Sequence, residues 1–209
     1  RDETRRDETR RDETRRDETT KIVDENHALQ QVFLNELDEK LWSSADKLRQ
    51  QLDAANYKHI VLGLIFLKYI SDSFTHQQEK IQAELSDPEN PLYLDRTFYD
   101  TDEEYQEALT IELENRDYYT ADNVFWVPQQ ARWDEIKAVS ILNIGAELPW
   151  GGKFSGVAKL IDDAFDAIEK DNEKLKGVLQ RISGYAVNED TLRGLIILFS
   201  DTNFTRPTY

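Results

Sequence analysis

From residue 34 onward the apolar positions of this chain fall at helical spacing. Leu34, Leu37, Leu41, Ala45, Leu48, Leu52 and Ala55 recur every three or four residues, which places them on one face of an amphipathic helix. After Asn56 and Tyr57 the pattern changes. The run from Lys58 to Phe74 is apolar nearly all round, which predicts a helix buried in the middle of a bundle, and it relaxes into a polar stretch ending near Leu85. Asp87-Pro88 and Asn90-Pro91 stop any helix there, because the residue before a proline is pushed out of helical backbone. Thr101-Asp-Glu-Glu104 then has the form of a capping box, and Tyr105, Ala108, Leu109 and Leu113 follow on one side, predicting a third helix.

Val124-Phe-Trp-Val127 is a short β-prone run closed by Pro128 and reads as an extended segment or edge strand. Pro128 suits the first turn of a helix carrying Ala131, Trp133, Ile136 and Val139. A loop from Gly145 to Gly152 separates it from the stripe Val157, Leu160, Ile161, Ala164, Phe165 and Ile168. The last predicted helices run from Leu175 to Ile182 and from Asp190 to Phe199. The expected fold is mainly α: an irregular helical bundle with at most a short β-hairpin or edge strand.

Residues 1–20 are a five-residue repeat of Arg, Asp, Glu and Thr without one apolar side chain, so they can join no core. A solenoid repeat needs about 20 or more residues and a buried face. These residues therefore read as a non-native or disordered-type charged leader, with residues 21–209 as the helical domain. The chain has 209 residues, 39% hydrophobic and rich in Phe and Tyr, enough for one such domain with a sizeable core. With no Met, even at position 1, it is expected to be part of a longer reading frame. The absence of Cys removes disulfides, thiolate metal sites and cysteine nucleophiles, and fits a reducing compartment. No apolar run approaches the ~20 residues needed to cross a bilayer, so no membrane is expected and a cytoplasmic location is the simplest reading.

Charge constrains the function further. The net charge is -16, and the leader's seven Arg and eight acidic residues leave 19 basic and 34 acidic residues, a net of -15, for the rest. A protein that grips nucleic acid unaided shows a basic face, so this balance argues against autonomous DNA binding.

Chemistry-bearing constellations are few. His76 and Glu79 stand three apart on a helix, far short of the four ligands of a structural metal site, and a solvated face is the simpler reading. Gly151-Gly152-Lys153 with Gly156 lacks the spacing of a phosphate loop and reads as a turn leading into a helix. No catalytic, cofactor-binding or metal-ligating residue is assigned. Trp126, Arg132, Trp133, Trp150 and Lys153 bring aromatic and basic groups close in sequence, the makings of a stacking platform, although core packing competes for the aromatics.

The stretches Leu41 to Arg49 and Leu52 to Asp72 resemble, nearly residue for residue, the N-terminal domain of type I restriction-modification methylase subunits. Phe125 to Trp133, Leu160 to Phe165 and Leu192 to Ser200 agree as well, so the resemblance covers about residues 30 to 209. It implies a parent enzyme in which a downstream domain binds S-adenosylmethionine and uses Asn-Pro-Pro-Phe to methylate adenine at N6. Neither motif is present: Asn90-Pro91-Leu92-Tyr93 lacks the second proline and reads as a turn, so this chain alone is expected to be inactive. The resemblance further implies a helical module that clasps DNA beside the specificity subunit, in an assembly with a second modification subunit and the restriction subunit. Lys58, His59, Arg132, Trp133, Trp150 and Lys153 are the candidates for DNA-proximal surface. The alternative is a pure protein-protein interaction domain that positions the catalytic domain and never touches DNA, which the acidity favours.

Overall fold

The computed structural model describes residues 35, 38–44, 46, 48 and 54–202. The chain divides into two compact units, Arg1–Ser43 and Ser44–Tyr209. In the first, the described residues 35 and 38–43 are helical; the repeat at residues 1–20 and His27 lie outside the described residues. In the second, residues 44, 46 and 48 are helical, as the apolar spacing from Leu34 predicts, and Leu48 is fully buried.

The second unit is organised around α1, Ala54–Ser86, one continuous 33-residue helix. The sequence predicts burial all round over Lys58 to Phe74, and here the structure differs. Ile60, Leu64, Leu67, Phe74, Ile81 and Leu85 are buried on one face, whereas Leu62 is 60% and Tyr69 48% exposed on the other. A domain of this size packs neighbours against one side of its longest helix, and the surplus apolar residues are left in water. α1 ends where Asp87-Pro88 begins, with the Ser86 hydroxyl donating to the Gln82 carbonyl.

The capping box forms as expected: Thr101 accepts from the Glu104 N–H at 3.1 Å and Glu104 reaches back to the Thr101 N–H, starting α2, Asp102–Leu113. The short α3, Asp117–Ala121, carries the buried Tyr119, whose hydroxyl donates to the Leu113 carbonyl at 2.6 Å. Burial first, and then the Glu114 charge, push the Tyr119 phenol up to about 12. Its ring stacks on Phe74 of α1 at 4.5 Å, and Trp126 meets both rings edge-on.

Residues 124–128 run extended but pair with no strand, and no strand forms among the described residues. Instead Asn172 clamps this segment at two points: its Oδ1 accepts from the Trp126 N–H at 3.2 Å and its Nδ2 donates to the Trp126 carbonyl at 2.9 Å. Pro128 opens a single 3-10 turn, Gln129–Ala131, and α4 starts only at Trp133, running to Ser140. Residues 145–154 then form a tight hairpin-like loop held by Gly145 N–H to Phe154 carbonyl, Phe154 N–H to Ala146 carbonyl and an isolated bridge between Glu147 and Lys153.

α5, Val157–Asp171, buries Val157, Leu160, Ile161, Ala164, Phe165 and Ile168, the stripe read from the sequence. The Phe165 ring lies against Gly63 of α1 so closely that a Cβ there would stand 3.2 Å from it. α6, Glu189–Ser200, closes the bundle.

The helix expected over Leu175 to Ile182 does not form. After a 3-10 turn at Glu173–Leu175 the chain proceeds through turns, with Gly177 at φ +73°. Leu179 and Ile182 are nevertheless buried, so their apolar character reports packing rather than helix. Backbone groups that a helix would satisfy internally are taken by α5 side chains. Asp162 accepts from the Ile182 and Ser183 N–H groups at 2.6 and 3.0 Å, and Glu169 from Leu179 N–H at 3.3 Å.

Two outcomes test this packing. Leu64→Ala is expected to lower unfolding stability by about 2–5 kcal/mol by emptying the buried face, and Leu62→Ala to change it by less than about 0.5 kcal/mol, both read from urea unfolding. Burial opposes the charge of Glu169, but the Arg181 guanidinium and the Gly177 and Leu179 N–H groups outweigh it and hold its carboxyl below the ordinary range. A depressed carboxylate contributes stability that is complete above the unfolded value, about 4.3, and lost as pH falls through the folded value. Glu169→Gln is therefore expected to destabilise the domain at pH 7, with the difference from the unsubstituted chain shrinking as pH drops below about 4.

Candidate functional site

Arg132 and Trp133 sit at the joint between the 3-10 turn and α4, where both side chains are engaged within the domain. The Arg132 guanidinium pairs with Glu114 at 2.9 Å, donates to the Val127 carbonyl at 3.1 Å and lies over the Phe74 ring at 4.7 Å. Trp133 is 3% exposed. Its N–H, the first of α4, donates to the Ser71 hydroxyl of α1 at 2.7 Å, and its indole Nε1 donates to the Ser200 hydroxyl of α6 at 3.0 Å. These contacts tie three helices together and leave no indole face for a nucleotide. Trp126 is likewise in the core.

The other four candidates lie at the surface in two places. Lys58 is exposed and His59 half-buried in the second turn of α1. Trp150 and Lys153 belong to the hairpin-like loop, where Gly151 and Gly152 hold φ of +94° and +85°, backbone that residues with a Cβ rarely adopt. The loop tip therefore keeps its shape through glycine. Trp150 is half-buried and Lys153 exposed, and together with Gln130, Leu148, Phe154 and Asp163 they line a shallow hollow. Lys153 makes no ion pair among the described residues, whereas Lys159, just inside α5, is held by Asp163. Such an ammonium beside a half-exposed indole can meet a phosphate and a base, although the two surface places hold only a few cations.

The glycine turn before α5 has a different role from phosphate binding. Gly156, at φ +124°, lets the Glu189 carboxylate of α6 reach the Val157 N–H at 2.8 Å, and a Cβ on Gly156 would stand 2.9 Å from Glu189 Oε1. The start of α5 thus already holds an anion, supplied by the chain itself. Asn90 accepts from the Leu92 N–H at 2.9 Å and closes a turn after α1. His76 and Glu79 are both exposed on α1, and no group of three His, Cys, Asp or Glu among the described residues could hold a metal ion.

The polar residues that sequence reasoning missed are Ser71, Asp162, Asn172 and Ser200, each of which bonds a distant segment. A signal existed only for Asp162, a carboxylate inside the apolar stripe of α5.

Residues 37–199, which hold every described helix from α1 to α5 and all but the last residue of α6, match the HsdM N-terminal domain. The chain belongs to that family. Among its relatives, the HindI methylase subunit of Haemophilus influenzae, a type I restriction enzyme subunit, is 88% identical over 83 residues, covering 40% of this chain and 19% of the relative. The type I MjaIX methylase subunit of Methanocaldococcus jannaschii is 31% identical over 172 residues, covering 81% of this chain and 27% of the relative. The chain thus spans less than a third of either relative. As an HsdM N-terminal domain it is a component of a type I restriction-modification methylase subunit, and the burial of Trp133 and the internal bonds of the half-buried Arg132 mark both as part of that domain's frame.

Removing the indole N–H is expected to show that role. Trp133→Phe should lower stability by about 1–3 kcal/mol, by leaving the Ser200 hydroxyl without its donor and thinning the core. Lys153→Ala should change stability by less than about 0.5 kcal/mol; urea unfolding followed by circular dichroism checks both.

Proposed function

We propose that this domain adds a small number of contacts to a DNA grip held by the whole type I assembly, and that it also helps to assemble the methylase subunit with its specificity, second modification and restriction partners. The observation that carries the reading is the glycine-shaped loop that presents Trp150 and Lys153 at the surface, the lysine without an ion pair among the described residues. Lys58 and His59 are the second candidate contact; Arg132 and Trp133 act through the frame. The acidity of the chain, -16 overall, supports a shared grip over an autonomous one. It equally favours the second reading, a protein-protein domain that positions the catalytic portion without touching DNA.

The parent reaction, transfer of a methyl group from S-adenosylmethionine to adenine N6, is assigned to the rest of the subunit. The described residues do not fit the methyl donor. The start of α5 is filled by Glu189, and the glycine turn before it follows a hairpin-like loop rather than a strand. We place the assembly in the cytoplasm; no helix among the described residues is long and apolar enough to cross a membrane.

Salt titration separates the two readings. In the complex of methylase and specificity subunits, Lys58→Ala with Lys153→Ala is expected to flatten the fall of log affinity with log salt by about 0.9 for each phosphate that is no longer neutralised. An unchanged slope would leave the protein-protein reading in its place. The 209-residue chain alone is expected to show no DNA binding at about 0.15 M salt, where exposed charges are largely screened, and tight binding there would contradict the shared grip.

A further inference from the structure

We propose that Glu189 is the positioning residue of the surface loop: its bond at the start of α5 fixes the direction in which Trp150 and Lys153 are presented. The loop has few ties of its own to the bundle. Among the described residues, every hydrogen bond made by residues 143–155 stays within that segment: Gly145 with Phe154, Phe154 with Ala146, Ala146 with Asn143, Leu148 with Gly152 and Gly151 with Leu148. Phe154 is its one buried residue, at 2% exposure, while Asn143, Ile144, Gly145, Glu147 and Pro149 on the entry side are all exposed. The segment is therefore a closed ring, firm within itself and held to the bundle by a single packed phenyl group.

The joint behind Phe154 is Gly156, at φ +124° and ψ 160°, backbone that a residue with a Cβ rarely adopts. A glycine at a joint leaves the neighbouring chain free to turn, so its conformation has to be held from outside. Glu189 holds it. The side chain is half-buried in the first turn of α6, and its carboxylate accepts from the Val157 N–H at 2.8 Å. That N–H belongs to the peptide joining Gly156 to Val157, so the bond fixes the plane of this peptide and with it the rotation at the joint. The same carboxylate stands where a Cβ on Gly156 would be, 2.9 Å from Oε1, so it also packs against the joint itself. Val157 is fully buried and anchored in the stripe of α5, so the firm end of the joint is the helix and the end that Glu189 restrains is the loop. The consequence for DNA rests on the shared-grip reading; the posture of the loop does not.

The chain is labelled with 5-fluorotryptophan, and the fluorine resonance of Trp150 is assigned by its loss in Trp150→Phe. Glu189→Ala is expected to move the Trp150 resonance towards that of free fluorotryptophan and to leave those of Trp126 and Trp133 in place. Glu189→Gln, which removes the charge and keeps a carbonyl acceptor for the Val157 N–H, is expected to leave all three where they are. An unmoved Trp150 resonance in Glu189→Ala would overturn the proposal. Movement of Trp126 and Trp133 as well would overturn it too, since the bond would then hold the bundle rather than the loop, and so would equal effects of alanine and glutamine. In the complex of methylase and specificity subunits, Lys153→Ala is expected to flatten the salt dependence of DNA binding while Glu189 is present, but to change Kd by less than about twofold in the Glu189→Ala background. No effect of Lys153→Ala in either background counts against the shared grip alone, because the resonances by themselves decide whether Glu189 positions the loop.

Discussion

A buried backbone N–H without an acceptor costs about 1–3 kcal/mol, so a domain with irregular connections must find partners for every one it buries. Here α5 and its two ends supply many of them. Asp162 takes the N–H groups of Ile182 and Ser183, Glu169 that of Leu179, and Asn172 both the N–H and the carbonyl of Trp126. At the other end Glu189 of α6 takes the first N–H of α5 itself. The apolar stripe of this helix fills the core against Gly63 of α1, while its polar residues satisfy chain that forms neither helix nor strand. The same side chains thus fix both packing and path.

This arrangement bears on function because it separates frame from surface. Arg132 and Trp133 lie among the ties between α1, α4 and α6, so their aromatic and cationic character is used inside the domain. The loop with Trp150 and Lys153 is anchored immediately before α5 and shaped by glycines, which leaves its tip the freedom to differ without disturbing the bundle. A domain built this way suits a component of a larger machine, rigid inside and offering a few side chains outside.

Much of the helical content was legible because periodicity and punctuation agree. The stripe from Val157 to Ile168, the capping box at Thr101 and the stop at Asp87-Pro88 each fall where local chemistry alone is sufficient. The misread helix has a physical cause. Leu175, Leu179 and Ile182 have helical spacing, yet they lie in irregular chain whose bonding partners come from α5, whereas Val124 to Val127, read as an extended segment or edge strand, is extended chain that bonds Asn172 in place of a neighbouring strand. Local propensity cannot show an acceptor that arrives from elsewhere in the sequence. The same applies to the candidate site: an indole next to an arginine looks alike in sequence whether it faces water or Ser200. The exposure of Leu62 and Tyr69 was hidden for a related reason, since apolar composition does not tell which side of α1 receives neighbours.

Amide hydrogen exchange of the 209-residue chain tests this arrangement most directly, because it reads the N–H groups of the irregular segments one by one. If α5 carries those segments, the amides of Trp126, Leu179 and Ile182 exchange slowly and open together with the amides of α5 itself, as one cooperative unit. Exchange of Ile182 and Trp126 at the rate of an unstructured peptide, with α5 still protected, would contradict it.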